Sequence, residues 1–165
     1  MARRLQAIEV AKYANGFVLT THDDALDEPL KWKQPNTVFV CSMADLFHED
    51  VPFCFIDRVM QTIRQTKQHR YQILTKRATR MAEYFAQAAI PENVWLGVTV
   101  EAASEKPRIE SLRSLKSPIR FLSCEPLVDD LGELDLANID WVIVGGESGS
   151  QARQMKPDWV RSIMQ

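Results

Sequence analysis

The sequence predicts a parallel α/β fold, either an open sheet with flanking helices or a partial (β/α) barrel, built from about five βα units. Three observations lead there. Short apolar runs begin near positions 37, 71, 94, 119 and 141. Between them, apolar residues recur at three- and four-residue steps, the mark of helices with one buried face. Each apolar run ends abruptly in hydroxyl or charged residues, and in such folds the loops after the strands share one face, where ligands bind.

Residues 3 to 14 read as a helix with Leu5, Ile8 and Tyr13 toward one side, ended by Asn15-Gly16, both tolerant of the left-handed conformation. Residues 17 to 36, with Pro29 and Pro35, read as an irregular connection. Thr37 to Cys41 is the first buried strand, ending in a polar stretch from Ser42 to Asp50. Pro52 suits the first turn of a helix, in which Ile56, Val59, Met60 and Ile63 form the apolar face. Tyr71 to Leu74 is the second strand and ends in Thr75-Lys76-Arg77; the next helix turns Met81, Tyr84, Phe85 and Ala88 inward. Val94 to Val98 is the third strand and ends in Thr99 and Glu101. Ile109, Leu112 and Leu115 mark a helix that Pro118 stops. Ile119 to Leu122 is the fourth strand, ending in Ser123-Cys124-Glu125-Pro126, and 127–139 is a longer excursion. Trp141 to Val144 is the fifth strand and runs into Gly145-Gly146-Glu147-Ser148-Gly149. Pro157 opens a last helix carrying Trp159, Val160, Ile163 and Met164.

The chain has 165 residues, enough for one domain with its own core, and 45% are hydrophobic. A net charge of −2 gives no strong nucleic-acid signal and no attraction to an anionic membrane. No apolar run approaches the roughly 20 residues of a membrane span. The three cysteines, Cys41, Cys54 and Cys124, are odd in number and far apart, which fits a reducing cytoplasm better than a disulfide framework. Buried structural thiols are the expectation for Cys41 and Cys124 at their strand ends.

Most familiar catalytic motifs fail. The glycines at 145, 146 and 149 make neither a nucleophile elbow nor a dinucleotide fingerprint, and no Gly-Lys-Ser/Thr phosphate loop occurs. A glycine-rich turn after a strand is left, able to offer N–H groups to an anion with Arg153 nearby. Lys76 and Arg77 are cations at the unfavourable end of a helix dipole, which invites a role in holding a carboxylate or phosphate. Asp45, His48 and Glu49, with Asp50, are candidate ligands of a divalent metal, though their spacing is not that of a zinc-protease helix; a solvated loop or a helix cap at Asp50 is the other reading.

Six strings stand out together: Val-Phe-Val-Cys-Ser-Met-Ala-Asp-Leu-Phe-His-Glu-Asp-Val-Pro (38–52), Gln-Ile-Leu-Thr-Lys-Arg (72–77), Val-Trp-Leu-Gly-Val-Thr-Val-Glu (94–101), Phe-Leu-Ser-Cys-Glu-Pro-Leu (121–127), Trp-Val-Ile-Val-Gly-Gly-Glu-Ser-Gly (141–149) and Ala-Arg-Gln-Met-Lys-Pro-Asp-Trp-Val-Arg (152–161). In this order they resemble an uncharacterised family of phage and prophage proteins, itself similar to a divergent branch of the radical S-adenosylmethionine superfamily. The resemblance covers nearly the whole chain. It implies a partial barrel whose C-terminal face binds S-adenosylmethionine, lined by Lys76, Arg77, Glu101, Ser123, Glu125, Gly145, Gly146, Glu147 and Ser148. It also implies a [4Fe–4S] cluster, held in the family by a Cys-x-x-Cys-Tyr-Ala cluster upstream. That motif has no counterpart here, and Met1-Ala-Arg-Arg-Leu-Gln resembles the segment directly after it. The expectation is therefore one α/β domain over 1–165, incomplete at both ends relative to the family, with the iron–sulfur cluster confined to a longer form.

Three functional readings follow. The first is a radical-S-adenosylmethionine-like protein, acting in its intact form on a macromolecule of unknown identity and catalytically incomplete as it stands. The second is a non-catalytic module that binds a nucleotide or a partner protein. The third is a metal-dependent hydrolase using Asp45, His48 and Glu49. None of them names a catalytic residue or sets the oligomeric state.

Overall fold

A computed structural model of the chain describes residues 14–16 and 18–164. The helix expected over residues 3 to 14 falls almost wholly outside them. Five strands form one parallel sheet: β1 (Thr37–Val40), β2 (Arg70–Thr75), β3 (Val94–Thr99), β4 (Ile119–Cys124) and β5 (Trp141–Val144). Among the described residues four helices accompany them: α1 (Phe53–Gln65) after β1, α2 (Ala78–Phe85) after β2, α3 (Pro107–Arg113) after β3 and α4 (Pro157–Ile163) after β5. The five predicted strands and the four helices predicted after residue 50 are all present. Strands β2, β3 and β4 run one or two residues further than the apolar runs, because Thr75, Thr99 and Ser123 continue the ladder. The connection before β1 is less irregular than expected, with 3-10 turns at Asp23–Asp27 and Pro29–Lys31.

The spatial order of the strands is their order in the chain, β1-β2-β3-β4-β5, with every pair parallel. A doubly wound sheet reverses its order at a switch point; this one never does, which is the order found in (β/α) barrels. Among the described residues β1 does not pair with β5, so the sheet is open.

Because side chains alternate across a strand, the register divides the sheet into two faces. One carries Val38, Val40, Tyr71, Ile73, Val94, Leu96, Val98, Leu122, Cys124, Val142 and Val144, which share a cluster with Ile56, Met60 and Ile63 of α1, Met81 and Phe85 of α2, Ile109 and Leu112 of α3 and Ile163 of α4. All four described helices thus cover the same face. Between β4 and β5 no helix forms; the 127–139 excursion puts Leu127, Leu131 and Leu134 into that core instead, and Arg113 ties it down by donating to the carbonyls of Asp135 and Ala137.

The other face carries Phe39, Gln72, Leu74, Trp95, Gly97, Phe121, Trp141 and Ile143. Here the Phe121 ring lies across Gly97, where a Cβ would come within 2.4 Å of it. Glycine at 97 is a matter of space.

Candidate functional site

The C-terminal ends of the strands form a rim, and its first anchor is Asp45. The Oδ1 atom accepts from the Phe47 N–H at 3.0 Å and the Thr75 hydroxyl at 2.7 Å. The Oδ2 atom accepts from the Lys76 N–H at 3.0 Å and Arg77 Nη1 at 3.1 Å. Four donors use the whole acceptor capacity of a carboxylate. Asp45 therefore fixes the β2 end to the loop after β1, and Thr75, 2% exposed, is buried as part of that knot.

Arg77 turns its Nε–H to Glu49, with Nε 3.3 Å from both carboxylate oxygens. The Glu49 carboxyl is held below its ordinary value, first by a backbone N–H and then by Arg77, with desolvation opposing both. His48 Nδ1 accepts from the Asp50 N–H at 3.2 Å. Asp50 caps no helix, since the residue at the start of α1 is Pro52. Among the described residues no group of three His, Cys, Asp or Glu is placed to hold a metal ion. Asp45, His48 and Glu49 are better explained as the contacts just described, and the hydrolase reading draws no support.

Next along the rim, Lys76 Nζ meets Glu101 Oε2 at 2.6 Å. This pair joins the ends of β2 and β3. Glu101 is held from behind: its N–H donates to Glu105 Oε2 at 2.7 Å, and Arg108 bridges Glu105 and the Thr99 carbonyl. Hydrogen bonds to Glu147, and then its charge, hold the proton on the Arg153 guanidinium, and Glu101 adds a lesser electrostatic pull. Arg153 grips Glu147 in two-pronged fashion at 2.8 and 3.1 Å and adds its backbone N–H at 2.9 Å. Those side-chain hydrogen bonds, ahead of the backbone one, pull the Glu147 carboxyl down to about 2.

Glu125 is exposed and its carboxyl packs over Gly145, where an added Cβ would stand 2.9 Å from Cδ. The bare backbone at 145 is thus filled by the chain's own carboxylate. Gly149, at φ 113°, needs glycine for its conformation. Gly146 and Ser148 are exposed on the same turn. Ser123 departs from expectation: it is 6% exposed and lies within β4, level with Thr99, so it belongs to the floor beneath the rim. The structure therefore brings Lys76, Arg77, Glu101, Glu147 and Arg153 into one run of paired charges with Asp45 at one end, while Glu125 and Gly145 close against each other.

The cysteines do not converge. Cys41, at φ 57° where the chain leaves the edge strand, is exposed as a residue rather than buried as expected, though desolvation first and the Asp45 charge second still hold its thiol above the ordinary value. Cys54 is exposed on α1. Cys124 is buried on the helix-covered face, where burial pushes its thiol up to about 11. An iron–sulfur cluster needs neighbouring thiolates; these described residues do not fit one, and no step is assigned through it.

Sequence reasoning missed His69, 1% exposed. Its Nδ1 accepts from the Asn36 N–H at 3.1 Å, so Nε2 carries the proton and donates to the Pro29 carbonyl at 3.1 Å. It staples the chain before β1 to the start of β2. No periodicity announces such a residue.

No curated protein and no solved structure matches the chain. One family model does, over residues 1–165, described as "Protein of unknown function (DUF5131)".

Proposed function

The chain belongs to that family, and from this premise we propose that the C-terminal rim of its sheet binds S-adenosylmethionine, in keeping with a radical-S-adenosylmethionine-like ancestry. The observation that carries the reading is the Lys76–Glu101 pair at 2.6 Å, a cation and an anion side by side across the ends of β2 and β3. The amino-acid end of S-adenosylmethionine presents the complementary pair, an α-carboxylate for Lys76 and an α-ammonium for Glu101. Exchanging one ion pair for two charge-assisted bonds keeps Lys76, Glu101 and both charges of the ligand's amino-acid end matched. Asp45 and Glu49 already hold Arg77, and Asp45 also takes the Lys76 N–H, so this knot fixes the Lys76 backbone. Glu147, Ser148 and the Gly145–Gly146 turn stand on the far side of the rim, where the nucleoside end of the ligand would extend. The described residues contribute binding and orientation, and the redox chemistry of the superfamily is assigned to none of them.

Calorimetric titration tests this. S-adenosylmethionine should bind the wild type, and Lys76→Ala and Glu101→Gln should each weaken it about tenfold or more, the worth of one hydrogen bond to a charged group. Methylthioadenosine, which lacks the amino-acid end, should bind more weakly than S-adenosylmethionine. Absence of heat with the wild type, or equal affinity for the two ligands, refutes the assignment.

A further inference from the structure

Among the described residues one face of the sheet carries no helix, and its composition is not explained by the rim. Phe39 on β1 is 44% exposed and Trp141 on β5 is 43% exposed. Trp95 on β3 lies between them, half-buried, 6.4 Å from Trp141 centroid to centroid, and Phe121 on β4 sits 5.7 Å from Trp141. Gln72 shares the row of Phe39 and Trp95, and among the described residues its amide has no hydrogen-bond partner. At the N-terminal end of the same face the Arg70 guanidinium stacks on Trp95 at 4.9 Å. Arg70 and Lys67 line a cleft of about 330 Å³ there together with Trp95. Neither cation has a carboxylate partner among the described residues; Glu92, in the same cleft, pairs with neither.

Rings on neighbouring strands, a free amide and unpaired cations at one end form a particular chemistry. Rings and guanidinium planes stack on bases, an amide reads base edges, and arginine and lysine pair with phosphate. A purely apolar partner would leave Arg70, Lys67 and Gln72 unanswered. The size of the face argues for more than one base. From β1 to β5 are four inter-strand steps, roughly 19 Å in all, wider than a single nucleobase.

We propose that the helix-free face binds a short single-stranded oligonucleotide, its bases stacked on Phe39, Trp95 and Trp141 and a phosphate held by Arg70 and Lys67. The site lies on the sheet surface and toward its N-terminal end, away from the rim, and does not depend on what the rim binds. The net charge of −2 means that stacking carries the affinity, so the salt dependence is shallow, with a slope of about one to two.

The test is fluorescence anisotropy of a labelled single-stranded oligothymidylate of about ten nucleotides titrated with the intact chain, with tryptophan emission followed in parallel. Anisotropy should rise and tryptophan emission should fall together. Phe39→Ala and Trp141→Ala, both at exposed positions and checked for folding by circular dichroism, should each weaken binding about fivefold or more. Arg70→Ala should lower the salt slope by about one. Four outcomes overturn the proposal: no anisotropy change with the wild type, undiminished binding by both aromatic variants, thymidine monophosphate binding as tightly as the oligomer, or sedimentation showing that a second copy covers this face.

Discussion

Glu147 and Arg153 satisfy each other through three contacts within one short turn. The carboxyl titrates near 2 in the folded chain, below the value of about 4.3 for a free glutamate. With the folded value depressed, the pair's contribution is full above the unfolded value and lost as pH falls through the folded one, between about 4.3 and 2. Carbon-detected NMR titration should place the Glu147 midpoint near 2, and Arg153→Ala should return it toward the ordinary range; a midpoint unmoved by Arg153→Ala contradicts the assigned contacts. The cations and acids of the rim were readable from sequence as chemical types, but their partners were not. Arg77 follows a strand at a helix start, which suggested a free cation for a ligand. Asp45 and Glu49, about thirty residues earlier, take it up. Ser123 sits at the boundary where an apolar run turns polar, and only the ladder with β3 shows that the strand continues through it. Long-range pairing of this kind leaves no local periodic trace.

At the level of elements, the strands were legible because a strand buried on both sides reads as an unbroken apolar run, as in Val94–Thr99. The helices were legible because each buries one stripe: Ile56, Val59, Met60 and Ile63 on α1 are all buried. The 127–139 stretch was legible as a long excursion, but its place in the core was not. Its Leu127, Leu131 and Leu134 are spaced by three and four residues, as a helix would space them, yet the segment packs as coil and replaces a crossover helix. The sheet needs apolar cover there, and leucines supply it whatever the backbone does. Leu131 is 1% exposed, so Leu131→Ala should cost about 2–5 kcal/mol, as a deletion in a helical core does. Urea denaturation measures this; a loss below about 1 kcal/mol would mean that the excursion merely rests on the surface. Which strand face the helices cover was equally hidden, since β4 is apolar on both and only the register separates Phe121 from Leu122.

For the molecule as a whole, protection should follow the sheet from centre to edge. Amides of β3 and β4 have a strand on each side, and their segments are mostly buried, whereas β1 is alternately exposed and half-buried at an edge. Native-state hydrogen exchange should find the slowest amides in Val94–Thr99 and Ile119–Cys124, with Thr37–Val40 faster by at least about tenfold; equal protection in β1 would show that this edge is covered. The unreversed strand order also bears on how the chain is made. On the ribosome the chain emerges N-terminus first, and each strand from β2 onward finds its only earlier neighbour already synthesised. After β1, no strand waits for its first partner, and each loop to be closed spans a single crossover, so the entropic cost of every docking step stays small. The sheet can be laid down like courses of brick, each course complete before the next arrives.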